Sequence, residues 1–136
     1  MESKCTQPSQ PREFRLVLSP DRGASGRARE AVRERFTSSL AKPVLEDLLL
    51  VLSELVNNAV EHGPKRPITV TLVRRDESIR GEVSDQGNPA AAIPRIKEAT
   101  SQGREGLGLT LVDRLTAGWA VYEGSTNVWF ELPLVP

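Results

Sequence analysis

One segment of the sequence is apolar around nearly all of its helical circumference, and this feature constrains the fold most. Residues 45–63 read LEDLLLVLSELVNNAVEHG. Apolar residues cover nearly the whole circumference of such a helix, which is typical of a helix buried by its neighbours. Pro43 suits the first helical turn, and Gly63-Pro64 ends the helix. In a chain of 136 residues, the other elements must therefore pack around this helix.

The flanking segments alternate between strand and helix patterns. The alternating patterns predict five strands, at Phe14–Leu18, Ile68–Arg74, Ile79–Ser84, Trp119–Glu123 and Val128–Leu134. Helical periodicity predicts a first helix over about Arg22–Leu40, capped by Asp21, and a third helix at Leu107–Leu115. One helical turn is expected near Ile93–Ala99. Hairpins and grouped helices favour an α/β fold, a two-layer sandwich with helices on one face of a mixed, mostly antiparallel sheet. We expect one domain over residues 13–136, after a disordered tail at residues 1–12 that is rich in Ser, Gln and Pro.

Composition excludes several classes of function. The chain has 18 basic and 18 acidic residues, so it lacks the basic excess that direct nucleic-acid binding needs. It has no apolar run long enough to span a membrane, and its first residues lack the apolar centre of a signal peptide. The single cysteine, Cys5, cannot form an intramolecular disulfide. These features predict a cytoplasmic protein that binds neither nucleic acid nor membrane.

Polar residues on the apolar helix are the first candidate site. Glu54 and Asn58 are four residues apart and share one face. Burial of an unpaired carboxylate or amide costs free energy on the order of several kcal/mol. In an apolar helix, both side chains therefore need a partner. One interpretation is structural, with both side chains bonding neighbouring elements at a helix rim. The functional interpretation is a general base, Glu54, beside a Mg²⁺ ligand, Asn58, since Mg²⁺ takes few protein oxygens.

Two glycine-containing turns are the other candidates. Gly103-Arg104-Glu105-Gly106-Leu107-Gly108 opens the third helix, where backbone N–H groups can bind phosphate. It lacks the lysine of a P-loop and does not directly follow a strand as a dinucleotide-binding turn does. Asp85-x-Gly87 ends an apolar strand. The motif is either an ordinary turn, or its carboxylate accepts a hydrogen bond from an exocyclic amine such as that of adenine.

Taken in order, the three motifs resemble the nucleotide-binding boxes of the GHKL, or histidine kinase-like, ATPases. SELVNNAVEHG, VSDQGNP and GREGLGLTLVDRL match these boxes in order and spacing. The sequence is most similar to the small anti-sigma-factor serine/threonine kinases of that family. The resemblance covers roughly Phe14 to Leu134, nearly all of the chain.

The resemblance implies the Bergerat ATP-binding fold, with ATP and Mg²⁺ held between the Asn58 helix and a lid at residues 88–104. It implies that Asn58 binds Mg²⁺, that Asp85 contacts the adenine amine above Gly87, and that Gly106 and Gly108 meet the phosphates. Arg104 would reach the γ-phosphate. Glu54 would be the base for a serine or threonine hydroxyl on an anti-anti-sigma (STAS-type) antagonist, whose phosphorylation frees this chain to hold a sigma factor.

Two positions differ from the family pattern and leave an alternative open. Asn88-Pro89 follows Gly87 where a second glycine is usual, and Asn127 precedes Val128 where Gly-Thr is often found. The alternative is a non-catalytic interaction module of the same fold that binds a sigma factor or antagonist without phosphoryl transfer. The resemblance also implies a possible homodimer that uses the first helix or first strand.

Overall fold

The computed structural model describes residues 13–85, 96–98, 109–122 and 127–134, with only the backbone described for 96–98 and Tyr122. In chain order the elements are β1 (Glu13–Leu18), α1 (Ala24–Phe36), α2 (Lys42–His62), β2 (Ile68–Arg74), β3 (Ser78–Ser84), β4 (Ile96–Glu98), α3 (Thr110–Leu115), β5 (Gly118–Tyr122) and β6 (Val128–Pro133). The predicted tail, Gly87, Arg104, Gly106 and Gly108 lie outside the described residues.

The described strands form a sheet in the order β1-β2-β3-β6-β5-β4, with every neighbouring pair antiparallel. Side chains alternate across this sheet because the strand period is two residues. Ile79, Gly81 and Val83 of β3 are buried, and α2 contacts this strand and β6. The helices therefore cover one face of an antiparallel sheet, which confirms the predicted two-layer α/β sandwich.

Helix α2 spans Lys42–His62, as the sequence predicts, and its residues supply much of the core. Leu48, Val51, Leu52, Leu55 and Val56 are almost completely buried between α1 and the sheet. The prediction of a buried helix is confirmed for most of α2, but it does not hold for the face of Leu50, whose side chain is 48% exposed.

Helix α1 is shorter at both ends than its periodicity predicts. Asp21 does not cap it, because the Asp21 carboxylate accepts hydrogen bonds from the Gly23 N–H at 2.8 Å and from the Arg27 guanidinium at 2.9 Å in the preceding turn. Gly23 occupies the N-cap position. At the other end, the backbone N–H and the hydroxyl of Ser39 both donate to the carbonyl of Phe36. The helix ends at Phe36 and the chain continues as a turn, in which the N–H of Leu40 also donates to the carbonyl of Phe36 and Leu40 packs in the core.

The segment between the second and third helices holds a strand where the sequence predicts a helical turn. Ile96–Glu98 pairs antiparallel with β5, with Ile96 opposite Tyr122 and Glu98 opposite Ala120. The prediction of helix near Ile93–Ala99 is therefore wrong for these residues. Helix α3 begins at Thr110 with Leu109 at its N-cap, while the first predicted residues of that helix lie outside the described part of the chain.

The core has a tight contact at Gly81. A Cβ placed on this glycine would lie 2.3 Å from Cζ and 2.5 Å from Cε2 of Phe130, and 2.9 Å from Cδ2 of Leu72. The ring of Phe130 therefore occupies the space that any larger residue at position 81 would need. Within the described ranges, no helix has both the length and the apolar composition needed to cross a bilayer.

Candidate functional site

Helix α2 presents Glu54 and Asn58 one helical turn apart. They are separated by about 6 Å along the helix axis. Glu54 is half-buried, and Asn58 is only 8% exposed, near the C-terminal end of the helix. The sequence prediction that these side chains lie on a mostly buried helix is confirmed, and both lie in its C-terminal half.

Burial changes the proton affinity of Glu54. Removal of the carboxylate from water raises the pKa of Glu54, and the negative charge of Glu61 raises it further. A carboxylate with a raised pKa is a better proton acceptor than an ordinary glutamate. The direction of this shift agrees with the expectation that Glu54 accepts a proton.

Asp85 lies directly after β3 and is only 2% exposed. Its backbone N–H donates a 2.8 Å hydrogen bond to Oδ1 of Asn127, which directly precedes β6. The β3–β6 ladder runs as far as Val83 opposite Val128, so the Asn127 side chain continues the pairing beyond the last pair of strand residues. This bond fixes the backbone that carries the Asp85 carboxylate.

Buried polar residues gather at this end of the sheet. Antiparallel pairing places the start of β2 beside the end of β3, with Thr69 opposite Ser84. Thr69, Asp85 and Asn127 are all buried, although apolar residues fill most of the interior. Sequence reasoning identified Asp85 but assigned no site role to Thr69 or Asn127. For Asn127 a signal existed, because the residue stands where the family pattern has Gly-Thr.

A short connection brings Asn58 to the same end of the molecule. Helix α2 ends at His62, and β2 begins at Ile68. Two capping bonds hold the end of the helix: the Gly63 N–H donates to the carbonyl of Ala59, and Nζ of Lys65 donates to the carbonyl of Val60. Lys65 adopts a positive φ of 63°, which lets the chain reverse direction. Asn58, one turn before the helix end, therefore lies on the side of the molecule where β2 begins.

Helix α3 is fixed to the sheet by a side-chain bond. The indole Nε1 of Trp119, on β5, donates a 2.9 Å hydrogen bond to Oδ1 of Asp113 on α3. Val112 of the same helix is completely buried. In the sequence, α3 follows the glycine-rich segment that ends at Gly108, so this bond anchors the element next to that segment.

Asn58 is the candidate magnesium ligand among the described residues. In the part of the chain that the structure describes, no cluster of three His, Cys, Asp or Glu side chains is placed to hold a metal ion. Mg²⁺ bound with a nucleotide needs only one or two protein oxygens, because phosphates and waters complete its shell. The amide oxygen of Asn58 is an acceptable ligand of this kind. Gly87, Arg104, Gly106 and Gly108 lie outside the described residues, so their assigned contacts stay predictions.

Comparison with known proteins agrees with this geometry. The family model described as the histidine kinase-like ATPase domain matches residues 18–131. Among solved structures, the chain matches the RsbU and RsbW domains of Rv1364c from Mycobacterium tuberculosis, with a TM-score of 0.64 and 22% sequence identity. The match covers 89% of this chain but only 31% of that one, so it shows a shared fold over part of a longer protein. No curated protein matches. The chain therefore belongs to the histidine kinase-like ATPase domain family.

Proposed function

We propose that this chain is an ATP-binding partner-switching regulator that phosphorylates a serine or threonine of an anti-anti-sigma (STAS-type) antagonist and otherwise holds a sigma factor. The observation that carries the proposal is the pair on α2, where a half-buried Glu54 with a raised pKa lies one turn from a buried Asn58 in a histidine kinase-like ATPase fold. The structural match to a protein whose solved domains include an RsbW domain supports the same kind of regulation.

The proposed binding roles are those that the family resemblance implies for these side chains. Asn58 contributes an amide oxygen to Mg²⁺, and Asp85 accepts a hydrogen bond from the adenine amine. The Asn127 bond to the backbone of Asp85 keeps that carboxylate at the end of β3. When bound, magnesium–ATP supplies the phosphoryl group and the cation that neutralises its charge. Gly87, Arg104, Gly106 and Gly108 are proposed to contact the base and the phosphates, as the resemblance implies.

Glu54 acts on the acceptor hydroxyl. Its carboxylate accepts the proton of the incoming serine or threonine, and partial burial makes it a stronger base for this step. Phosphoryl transfer depends mostly on positioning and charge neutralisation, so one base and a few contacts are enough.

A transfer assay tests these roles. Wild type, Glu54→Gln, Asn58→Ala and the control Asn57→Ala, an exposed amide on the same helix, are incubated with magnesium–ATP and purified STAS-type antagonists. We expect Glu54→Gln to slow transfer by about 10²–10⁴-fold with little change in ATP affinity, and Asn58→Ala to weaken magnesium-dependent ATP binding. Undiminished transfer in both site variants would reject the assigned roles.

A non-catalytic interaction module of the same fold is the second candidate. The observation in its favour is that Asn127, in place of the family's Gly-Thr, bonds the protein's own backbone. Calorimetric titration with magnesium–ATP separates the two candidates. Absence of both binding heat and a thermal shift at saturating ATP supports the second candidate, because a ligand that binds the folded state must stabilise it.

A further inference from the structure

One face of α2 stays at the surface although the rest of the helix is buried. Among the described residues, the large apolar side chains that are exposed are Val17 on β1, at 59%, and Leu50 on α2, at 48%. An exposed leucine forgoes a large part of the stabilisation that full burial provides. The neighbouring Leu49 and Val51 do bury their side chains, so α2 places Leu50 on the one side that no described element covers.

This exposed leucine is aligned with the proposed base. Glu46, Leu50 and Glu54 follow one another at intervals of four residues, and such residues are neighbours on a helix surface. Leu50 is thus one turn, about 6 Å along the axis, from Glu54. The opposite side of α2 packs on the sheet. A hydroxyl from another protein must reach Glu54 from the solvent side, and there it meets Leu50.

The charged side chains that α2 itself carries between its two ends are all acidic. Glu46, Asp47, Glu54 and Glu61 project from α2, and the basic residues of the helix are confined to its ends, at Lys42 and His62. From α1, Arg29 reaches α2, where its Nη1 donates a 2.9 Å hydrogen bond to Oγ of Ser53. Near Leu50, the carboxylates of Glu46 and Asp47 favour a partner that brings positive charge.

We propose that the face formed by Glu46, Asp47, Leu50 and Glu54, the α2 docking face, binds the segment of the phosphoacceptor protein that carries its serine or threonine. The segment places an apolar side chain on Leu50 and a lysine or arginine against Glu46 and Asp47. This inference rests on the proposed kinase function and deepens it. It defines the substrate as a hydroxyl-bearing segment with basic and apolar neighbours, and it makes Leu50 a specificity-determining residue.

Steady-state kinetics test the apolar contact. The probe is a STAS-type antagonist that the wild-type chain binds, and the variant is Leu50→Gln, which keeps a good helix former on an exposed site. The matched control is Val17→Thr, which changes the other exposed apolar side chain. We expect Leu50→Gln to raise the KM for the antagonist by about tenfold, with a smaller effect on kcat and no change in ATP affinity. Val17→Thr should leave all three values unchanged.

Salt dependence tests the charge contact. Raising KCl from about 0.05 M to about 0.3 M shortens the range of charge interactions, so the wild-type KM should rise. The double variant Glu46→Gln/Asp47→Asn should begin with a higher KM that responds less to salt. An unchanged KM in Leu50→Gln, or equal salt dependence in wild type and the double variant, overturns the docking proposal.

A binding measurement separates this proposal from the kinase assignment. If wild type binds ATP but transfers no phosphate, the kinase assignment fails, and the docking face is then judged by the Kd of the antagonist in the presence of ADP. A weaker Kd in Leu50→Gln supports the face, and an unchanged Kd overturns it. Weakened binding of a sigma factor alone, with antagonist binding intact, also overturns it, because the face would then serve a different partner.

Discussion

The side chain of Asn127 holds the backbone of Asp85, with Oδ1 of Asn127 2.8 Å from the backbone nitrogen of Asp85. Both residues are buried and are 42 positions apart in the chain. The bond joins the end of β3 to the start of β6, where the strand ladder stops. It therefore fixes the position of the Asp85 carboxylate, which is proposed to accept a hydrogen bond from the adenine amine.

Asn127→Ala should destabilise the fold and weaken ATP binding together. The substitution leaves the buried N–H of Asp85 without this acceptor, which costs about 1–3 kcal/mol. Urea unfolding measures the stability, and calorimetric titration measures ATP affinity. The control Asn57→Ala removes an exposed amide and should be neutral or slightly stabilising, since alanine favours helix. Equal stabilities for Asn127→Ala and wild type would show that the bond contributes nothing.

Gly81→Ala should destabilise the core through its contact with Phe130. The added methyl group would lie 2.3 Å from Cζ of Phe130, and the overpacking should cost about 1–3 kcal/mol. Gly118→Ala is the matched control, because a Cβ on that strand glycine meets no atom within 4 Å. Thermal unfolding of both variants checks the prediction. Similar losses in the two variants would mean that the ring of Phe130 moves aside at little cost.

Glu54→Gln should raise the melting temperature at neutral pH. Burial, followed by the charge of Glu61, raises the pKa of Glu54 above the ordinary value of 4.5. The folded chain binds this proton more tightly than the unfolded chain, so the associated stability is fully present below pH 4.5 and is lost as pH rises through the folded pKa. Ionised Glu54 therefore destabilises the fold at neutral pH, and glutamine removes this cost.

Melting curves recorded across a range of pH check the direction of the pKa shift of Glu54. The advantage of Glu54→Gln over wild type should shrink as the pH falls toward and below 4.5. Glu46→Gln, a change at an exposed position on the same helix, should give a smaller difference at neutral pH. A lower melting temperature for Glu54→Gln at neutral pH would contradict the raised pKa and point instead to a stabilising role for the charge.

Trp119→Phe should loosen α3 while it preserves most of the core packing. The change keeps an aromatic ring on β5 but removes the Nε1 donor that bonds Asp113 at 2.9 Å. We expect a loss of about 0.5–1.5 kcal/mol in the free energy of unfolding. Because α3 follows the glycine-rich segment in the sequence, ATP affinity should also fall. Unchanged unfolding and ATP affinity would show that apolar packing, and not this hydrogen bond, positions α3.

Local sequence predicted the elements whose pattern is strong, and failed where another part of the chain decides the outcome. The bounds of α2 and β2 follow directly from apolar periodicity and from the Gly63-Pro64 stop. The predicted α1 is too long, because the Asp21 carboxylate bonds the turn that precedes the helix and the chain continues as a turn after Phe36. The strand at Ile96–Glu98 depends on the available edge of β5, which periodicity over three residues does not indicate.

By itself, the sequence determined that a nearly all-apolar helix carries a carboxylate and an amide one turn apart, because the helical period alone places Glu54 and Asn58 on one face. Tertiary structure decided how far these groups are buried and which charges and hydrogen bonds surround the site. Packing partly buries Glu54 beside Glu61 and so raises its pKa, and antiparallel pairing brings Asn127 to the backbone of Asp85. The packing of α2 also leaves the side chain of Leu50 exposed to solvent. Burial and contacts between distant segments exist only once the chain is folded, so no local pattern could specify them.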